Sequence, residues 1–155
     1  MKKYNTITLF FLTFIFFKAS YADIEKGRWN FIEDPDYCYI GSIPEKTDLP
    51  DGKQRGSTYI LVYRINKSQN PIIQIEAGYP YKSDQNIIVE IDNSKFIFFA
   101  DDETAWTNND DKVIYAMKKG NLLTIKGQSS RDTKTIDQYT LKGFTAAYNK
   151  LINDC

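Results

Sequence analysis

Histidine is absent from these 155 residues, and cysteine, methionine and tryptophan occur twice each. Without histidine there is no Ser-His-Asp triad, no Cys-His nucleophile pair, and no histidine-ligated zinc or haem. Two cysteines cannot complete a four-thiolate zinc site or hold an iron–sulfur cluster alone. Charge of one sign is also lacking: 20 basic side chains face 20 acidic ones, so there is no basic stripe of the kind that holds nucleic acid. Long apolar runs are missing as well. The run Ile7–Phe17 is interrupted by Thr8 and Thr13 and falls short of the about 17–25 residues that a membrane-spanning helix needs. Aromatic residues, at 15%, are plentiful, enough for a packed core rather than a disordered chain.

That apolar run sits in a leader. Lys2 and Lys3 precede it, and Ser20-Tyr21-Ala22 places small residues where a signal peptidase reads. Residues 1–22 are therefore expected to be a signal peptide cut between Ala22 and Asp23, with an uncleaved anchor as the alternative. No cysteine follows the run, which excludes a lipoprotein anchor. The remaining 23–155 form one expected domain. It carries 17 basic and 20 acidic side chains, a net −3, with no polybasic attraction to anionic lipid and no transmembrane span. Export implies an oxidising compartment. Asn66-Lys67-Ser68 matches the N-glycosylation sequon.

The rest of the chain is punctuated in the manner of short strands. Trp29–Ile32, Tyr37–Ser42, Thr58–Ile65, Pro71–Ala77, Asn86–Ile91, Lys95–Ala100, Leu122–Gly127 and Thr135–Leu141 each read as extended. Thr58–Ile65 is apolar on both faces and reads as a central strand. Pro44–Gly56 reads as a polar loop. Asp92-Asn93-Ser94 is a hairpin signal in which asparagine can take a positive φ. Asp110–Gly120 reads as a helix, with acids first, lysines last and glycine at the end. Val113, Ile114 and Met117 would face the core. Phe144, Tyr148 and Leu151 recur at helical spacing and mark a second helix over Thr145–Ile152. The pattern predicts an all-β fold: an antiparallel β-sandwich of seven or eight strands with two short helices, or alternatively a closed β-barrel.

A Cys38–Cys155 disulfide would enclose almost the whole domain and tether the C-terminal helix to an early strand. The alternative is a reactive thiol pair, but neither a C-x-x-C spacing nor an adjacent helix start supports it.

Several segments occur in a recognisable order: Trp29, Tyr37-Cys38-Tyr39-Ile40, Arg55-Gly56, Tyr59–Val62, Gly78-Tyr79-Pro80-Tyr81-Lys82 and Val89–Asp92 with Phe96 and Phe98. Thr104-Ala105-Trp106, Ala116–Gly120, Ser129-Ser130-Arg131, Thr133-Lys134-Thr135, Tyr139–Tyr148 and the last cysteine follow. Over about residues 28 to 155 the chain resembles the invasion-associated locus B family of exported envelope proteins of Gram-negative, mostly alphaproteobacterial, cells. The resemblance implies a periplasmic β-sandwich, with a link to host-cell entry in a pathogen that need not extend to every member. It brings no catalytic residues and no cofactor. One departure is visible: the family often has glycine after the arginine of Ser-Ser-Arg, where this chain has Asp132.

The candidate contact residues are Tyr79, Tyr81, Lys82, Trp106 and Arg131. Tyrosine and tryptophan at an exposed loop can stack on sugars or anchor a protein, although each ring could equally plug the end of the core. Arg131 and Lys134, among hydroxyls, could bind carboxylate or phosphate, or form an exposed bend of little energetic weight. Asp101-Asp102-Glu103 and Asp110-Asp111 could cut a glycosidic bond or hold calcium; in the plainer reading they are a solvated turn and a helix start. The residues favour a non-enzymatic envelope protein that binds another protein or a glycan. A glycan hydrolase using the acidic turn, or a carrier of a small apolar ligand, are the alternatives.

Overall fold

A computed structural model describes residues 24–65 and 70–155. The leader with its cleavage point at Ala22 and Asp23, and the sequon at 66–68, lie outside those residues.

The strands are β1 (Asn30–Glu33), β2 (Tyr37–Ser42), β3 (Lys46–Asp48), β4 (Tyr59–Ile65), β5 (Ile72–Glu76), β6 (Asn86–Ile91), β7 (Ser94–Asp101), β8 (Thr104–Trp106), β9 (Leu122–Gln128) and β10 (Lys134–Thr140). They pair antiparallel in one sheet of order β1-β2-β4-β5-β8-β7-β6-β9-β10-β3. The all-β antiparallel expectation holds, with ten strands instead of seven or eight. The two extra are β3, inside the expected polar loop, and β8.

The connection from β2 to β3 dictates the curvature. These strands stand second and tenth in the sheet, yet only residues 43–45 join them. So short a link reaches at most about 14 Å. The sheet must therefore curl until its ends approach, which gives a half-barrel. The inward-facing residues follow the two-residue period of each strand. Ile60 and Val62 of β4, Ile73 and Ile75 of β5, Ile87 and Val89 of β6 and Leu123 and Ile125 of β9 are all buried in one cluster.

Helix α1 (Asp110–Lys119) buries Val113, Ile114 and Met117 as its spacing predicts. Gly120 ends it in extended backbone at φ −82°, not in the left-handed conformation. Close packing requires glycine there: a Cβ would lie 2.6 Å from Ile91 Cγ2. Helix α2 (Phe144–Asn153) buries Phe144, Ala147 and Leu151. Trp29 packs edge-on against Phe144 at 4.9 Å and its Nε1 donates to the Thr140 carbonyl at 2.8 Å. The Cys38–Cys155 disulfide, with Cα atoms 5.9 Å apart, ties the residue beyond α2 to β2. Of the β6–β7 turn residues, Asp92 takes the positive φ, at 48°; Asn93 does not. Among the described residues no helix is long and apolar enough to cross a membrane.

Candidate functional site

Strand β5 leaves the sheet at Gly78. Its φ is +71°, and a Cβ there would lie 2.5 Å from the Gly56 carbonyl oxygen. Only glycine allows this crossing, in which the Gly56 N–H donates to the Gly78 carbonyl at 2.8 Å. The crossing directs Tyr79-Pro80 toward the bend between β9 and β10. Tyr81 forms a β-bridge with Ser129. Ser130 N–H donates to the Pro80 carbonyl at 2.8 Å, and Lys82 N–H to the Gln128 carbonyl at 2.9 Å. Two loops distant in sequence thus become adjoining walls, and residues 49–55 supply a third. Between them lies a cleft of about 280 Å³, lined by Lys53, Gln54, Arg55, Tyr79, Arg131 and Thr133 among others.

The cleft stands on a buried polar base. The side chains of Arg55 and Asp137 form an ion pair, each only 6% exposed. Arg55 Nη1 donates to Asp137 Oδ2 at 2.9 Å, and Arg55 Nη2 donates to Thr47 Oγ1 at 2.9 Å. Thr47 Oγ1 in turn donates to Asp137 Oδ1 at 2.8 Å. Burial pulls the Arg55 pKa down, but the bond to and charge of Asp137 outweigh it and hold the pKa above its ordinary value. The Tyr79 hydroxyl hydrogen-bonds that of Thr135, and burial pushes the Tyr79 pKa up. Tyr139, fully buried on the same strand as Asp137, is also pushed up by burial.

The bend is closed by Ser129. Its Oγ accepts the N–H groups of Arg131 and Thr133 at 3.3 and 3.2 Å, and its carbonyl accepts that of Asp132 at 2.9 Å. Asp132 takes φ +62°, in the left-handed region that favours glycine. Its carboxylate pairs with Lys82 and accepts from Gln128 Nε2 at 3.0 Å. The Arg131 guanidinium has no hydrogen bond or ion pair among the described residues.

The structure therefore unites Tyr79 and Arg131 of the expected contact residues. Lys82 braces the bend from outside the lining. Tyr81 departs from its expected role: at 6% exposure it belongs to the core, where its ring meets Tyr79 edge-on at 5.4 Å. The bridge to Ser129 holds its backbone, so alternation turns the ring inward and leaves it beneath the cleft. Trp106 is elsewhere, half-buried on β8, packed against Tyr63 at 6.5 Å with its Nε1 donating to Thr104 Oγ1 at 2.8 Å.

The carboxylates stay apart from the cleft. Asp102 and Glu103 form the β7–β8 hairpin turn, with Asp102 at φ +52°. Glu103 neighbours Glu76, whose pKa is raised chiefly by burial and further by Glu103 and Asp102, against the lowering bond from the Gly78 N–H. Asp110 accepts the Ile73 N–H at 2.8 Å and so pins α1 to β5. No group of three potential metal ligands occurs among the described residues.

Residues 35–152 match the family described as invasion associated locus B (IalB) protein. A crystal structure of invasion associated protein B from Bartonella henselae shares the fold. Its TM-score is 0.56 at 13% sequence identity, covering 82% of this chain and 93% of that one. None of the curated proteins searched matches the chain.

Proposed function

The chain belongs to the invasion associated locus B family, and from that premise we propose that it is a non-enzymatic binding protein of the bacterial cell envelope. In this reading it is exported, begins at Asp23 after processing, and works in the periplasm or against the envelope. The observation that carries the reading is the cleft. It joins the Tyr79-Pro80 turn to Arg131 and Lys53 on a braced base, and it contains no carboxylate. A binding site needs convergent polar groups on a rigid frame. A glycan hydrolase needs two carboxylates flanking its substrate, and the acidic turn stands outside the cleft.

The test uses protein isolated from the exported fraction, where an intact mass beginning at Asp23 checks the processing. The protein is sedimented with purified envelope glycan and with envelope protein. Wild type should sediment with one of them, and R131A should lose at least about tenfold of that binding, the scale of a lost charge-assisted bond. New reducing ends on the glycan, or binding indifferent to Arg131, would overturn the reading.

A further inference from the structure

Five polar side chains around the cleft have no hydrogen bond or ion pair among the described residues: Lys53, Gln54, Ser130, Arg131 and Thr133. Their neighbours are different. Arg55 is held by Asp137 and Thr47, Tyr79 by Thr135, and Asp132 is turned away by Lys82 and Gln128. The backbone N–H groups of the bend are likewise taken: Ser130 by Pro80, and Arg131, Asp132 and Thr133 by Ser129. The cleft is thus not a backbone nest for an anion. Whatever it binds must be held by side chains.

Those side chains define the ligand. Two are cations with no carboxylate in the lining to neutralise them, on a chain whose expected mature charge is negative. They call for an anion, and the planar guanidinium of Arg131 suits the paired oxygens of carboxylate or phosphate. Two hydroxyls and an amide both donate and accept, which matches a ring of hydroxyl groups better than a second charge. Tyr79 and Pro80 supply apolar surface beside them. A volume of about 280 Å³ is on the scale of one ring and its substituent. We propose that the cleft receives a single anionic sugar residue, a pyranose bearing phosphate or carboxylate, with Arg131 and Lys53 on the acid group and Gln54, Ser130 and Thr133 on the ring hydroxyls. This assignment rests on the binding reading above and names its ligand class.

The probes are glucose 6-phosphate, glucuronate, glucose and inorganic phosphate, titrated into the isotope-labelled chain and followed by backbone amide resonances. One of the two anionic sugars should shift the amides of 53–55, 79 and 129–135. Glucose and inorganic phosphate should each bind at least about tenfold more weakly, since each lacks half of the contacts. Raising salt from about 50 to 200 mM should weaken the sugar anion severalfold. R131A and, separately, K53A should each cost about tenfold, while R131K recovers part of the loss because it keeps charge but not the paired geometry. Arg131 and Lys53 support no other residue, so both variants should remain folded. Equal binding of glucose or of inorganic phosphate would overturn the assignment, as would shifts outside the cleft. A phosphorylated glycan tested with and without its lipid separates the two sources. Equal binding supports the sugar, and binding only of the lipid-linked form overturns it in favour of a membrane surface. If sedimentation with envelope material remains Arg131-dependent while no anionic sugar binds, the ligand class is wrong and the binding reading stands. If both fail, the reading fails with it.

Discussion

Four aspartates carry left-handed backbone among the described residues: Asp84, Asp92, Asp102 and Asp132. Aspartate tolerates this region because its short carboxylate can bond locally. The Asp92 carboxylate instead bonds far along the chain, accepting the Asn121 and Leu122 N–H groups at 3.1 Å each. At Asp132 the same conformation turns the carboxylate toward Lys82 and Gln128 and away from the cleft. Glu76 is a residue whose ionisation works against the fold. Burial, then Glu103 and Asp102, raise its pKa above the ordinary 4.5. The folded state therefore holds the Glu76 proton more tightly than the unfolded chain does. The contribution of Glu76 to stability grows as pH falls from neutral through the raised pKa and is complete below about 4.5, the unfolded value. Glu76→Gln removes this dependence and keeps an acceptor for the Gly78 N–H. Thermal melts from pH 7 to pH 4 should show the variant more stable than wild type at pH 7, with the advantage vanishing toward pH 4. A difference that stays constant with pH would show that Glu76 does not titrate differently on folding.

At the scale of elements, the cleft depends on β10 presenting Thr135, Asp137 and Tyr139 on one face. The acid sits between two buried side chains at 4% exposure and is matched by Arg55, which arrives from a loop. A buried pair is strained mainly by being broken: removing one partner costs about 3–5 kcal/mol, whereas replacing both with apolar groups is often neutral. Asp137→Ala should therefore lower the unfolding free energy in urea by about 3–5 kcal/mol, and the R55M/D137L double variant should recover most of it. Additive losses would show that the pair is not the unit. Much of this level is legible in the chain. Eight strands and both helices stand where alternation, turn residues and helical spacing place them, because each is long enough to show its period. β3 and β8 span three residues each, too few for a period, and β3 is exposed throughout. Tyr79 and Arg131 are legible as candidates but not as neighbours, since their meeting depends on the Tyr81–Ser129 bridge. Arg55 falls in the stretch Pro44–Gly56, which reads as polar loop. Asp137 is an acid in the inward register of its strand, a pattern that calls for a buried partner.

At the scale of the whole molecule, two links hold together distant parts of the sheet and its packed helix. Residues 43–45 connect its second and tenth strands, and the disulfide fastens the end of α2 to β2 across 117 positions. Neither link has a periodic signature, which is why sandwich and barrel are indistinguishable from strand patterns alone. The two links differ in kind. The short connection constrains the folded sheet, whereas the disulfide acts chiefly by restricting the unfolded chain, and over so long a loop that restriction is large. The helix it holds has its own anchors in Phe144, Leu151 and the Trp29 contact, so the fold should survive reduction with less stability rather than come apart. Urea unfolding of the oxidised protein against the C38S/C155S variant should show the same native spectrum and a stability lower by about 3–5 kcal/mol. A variant that loses native structure in buffer would mean that α2 does not dock without its covalent tie. A variant of unchanged stability would mean that the unfolded chain is already compact enough for the bond to add no restriction.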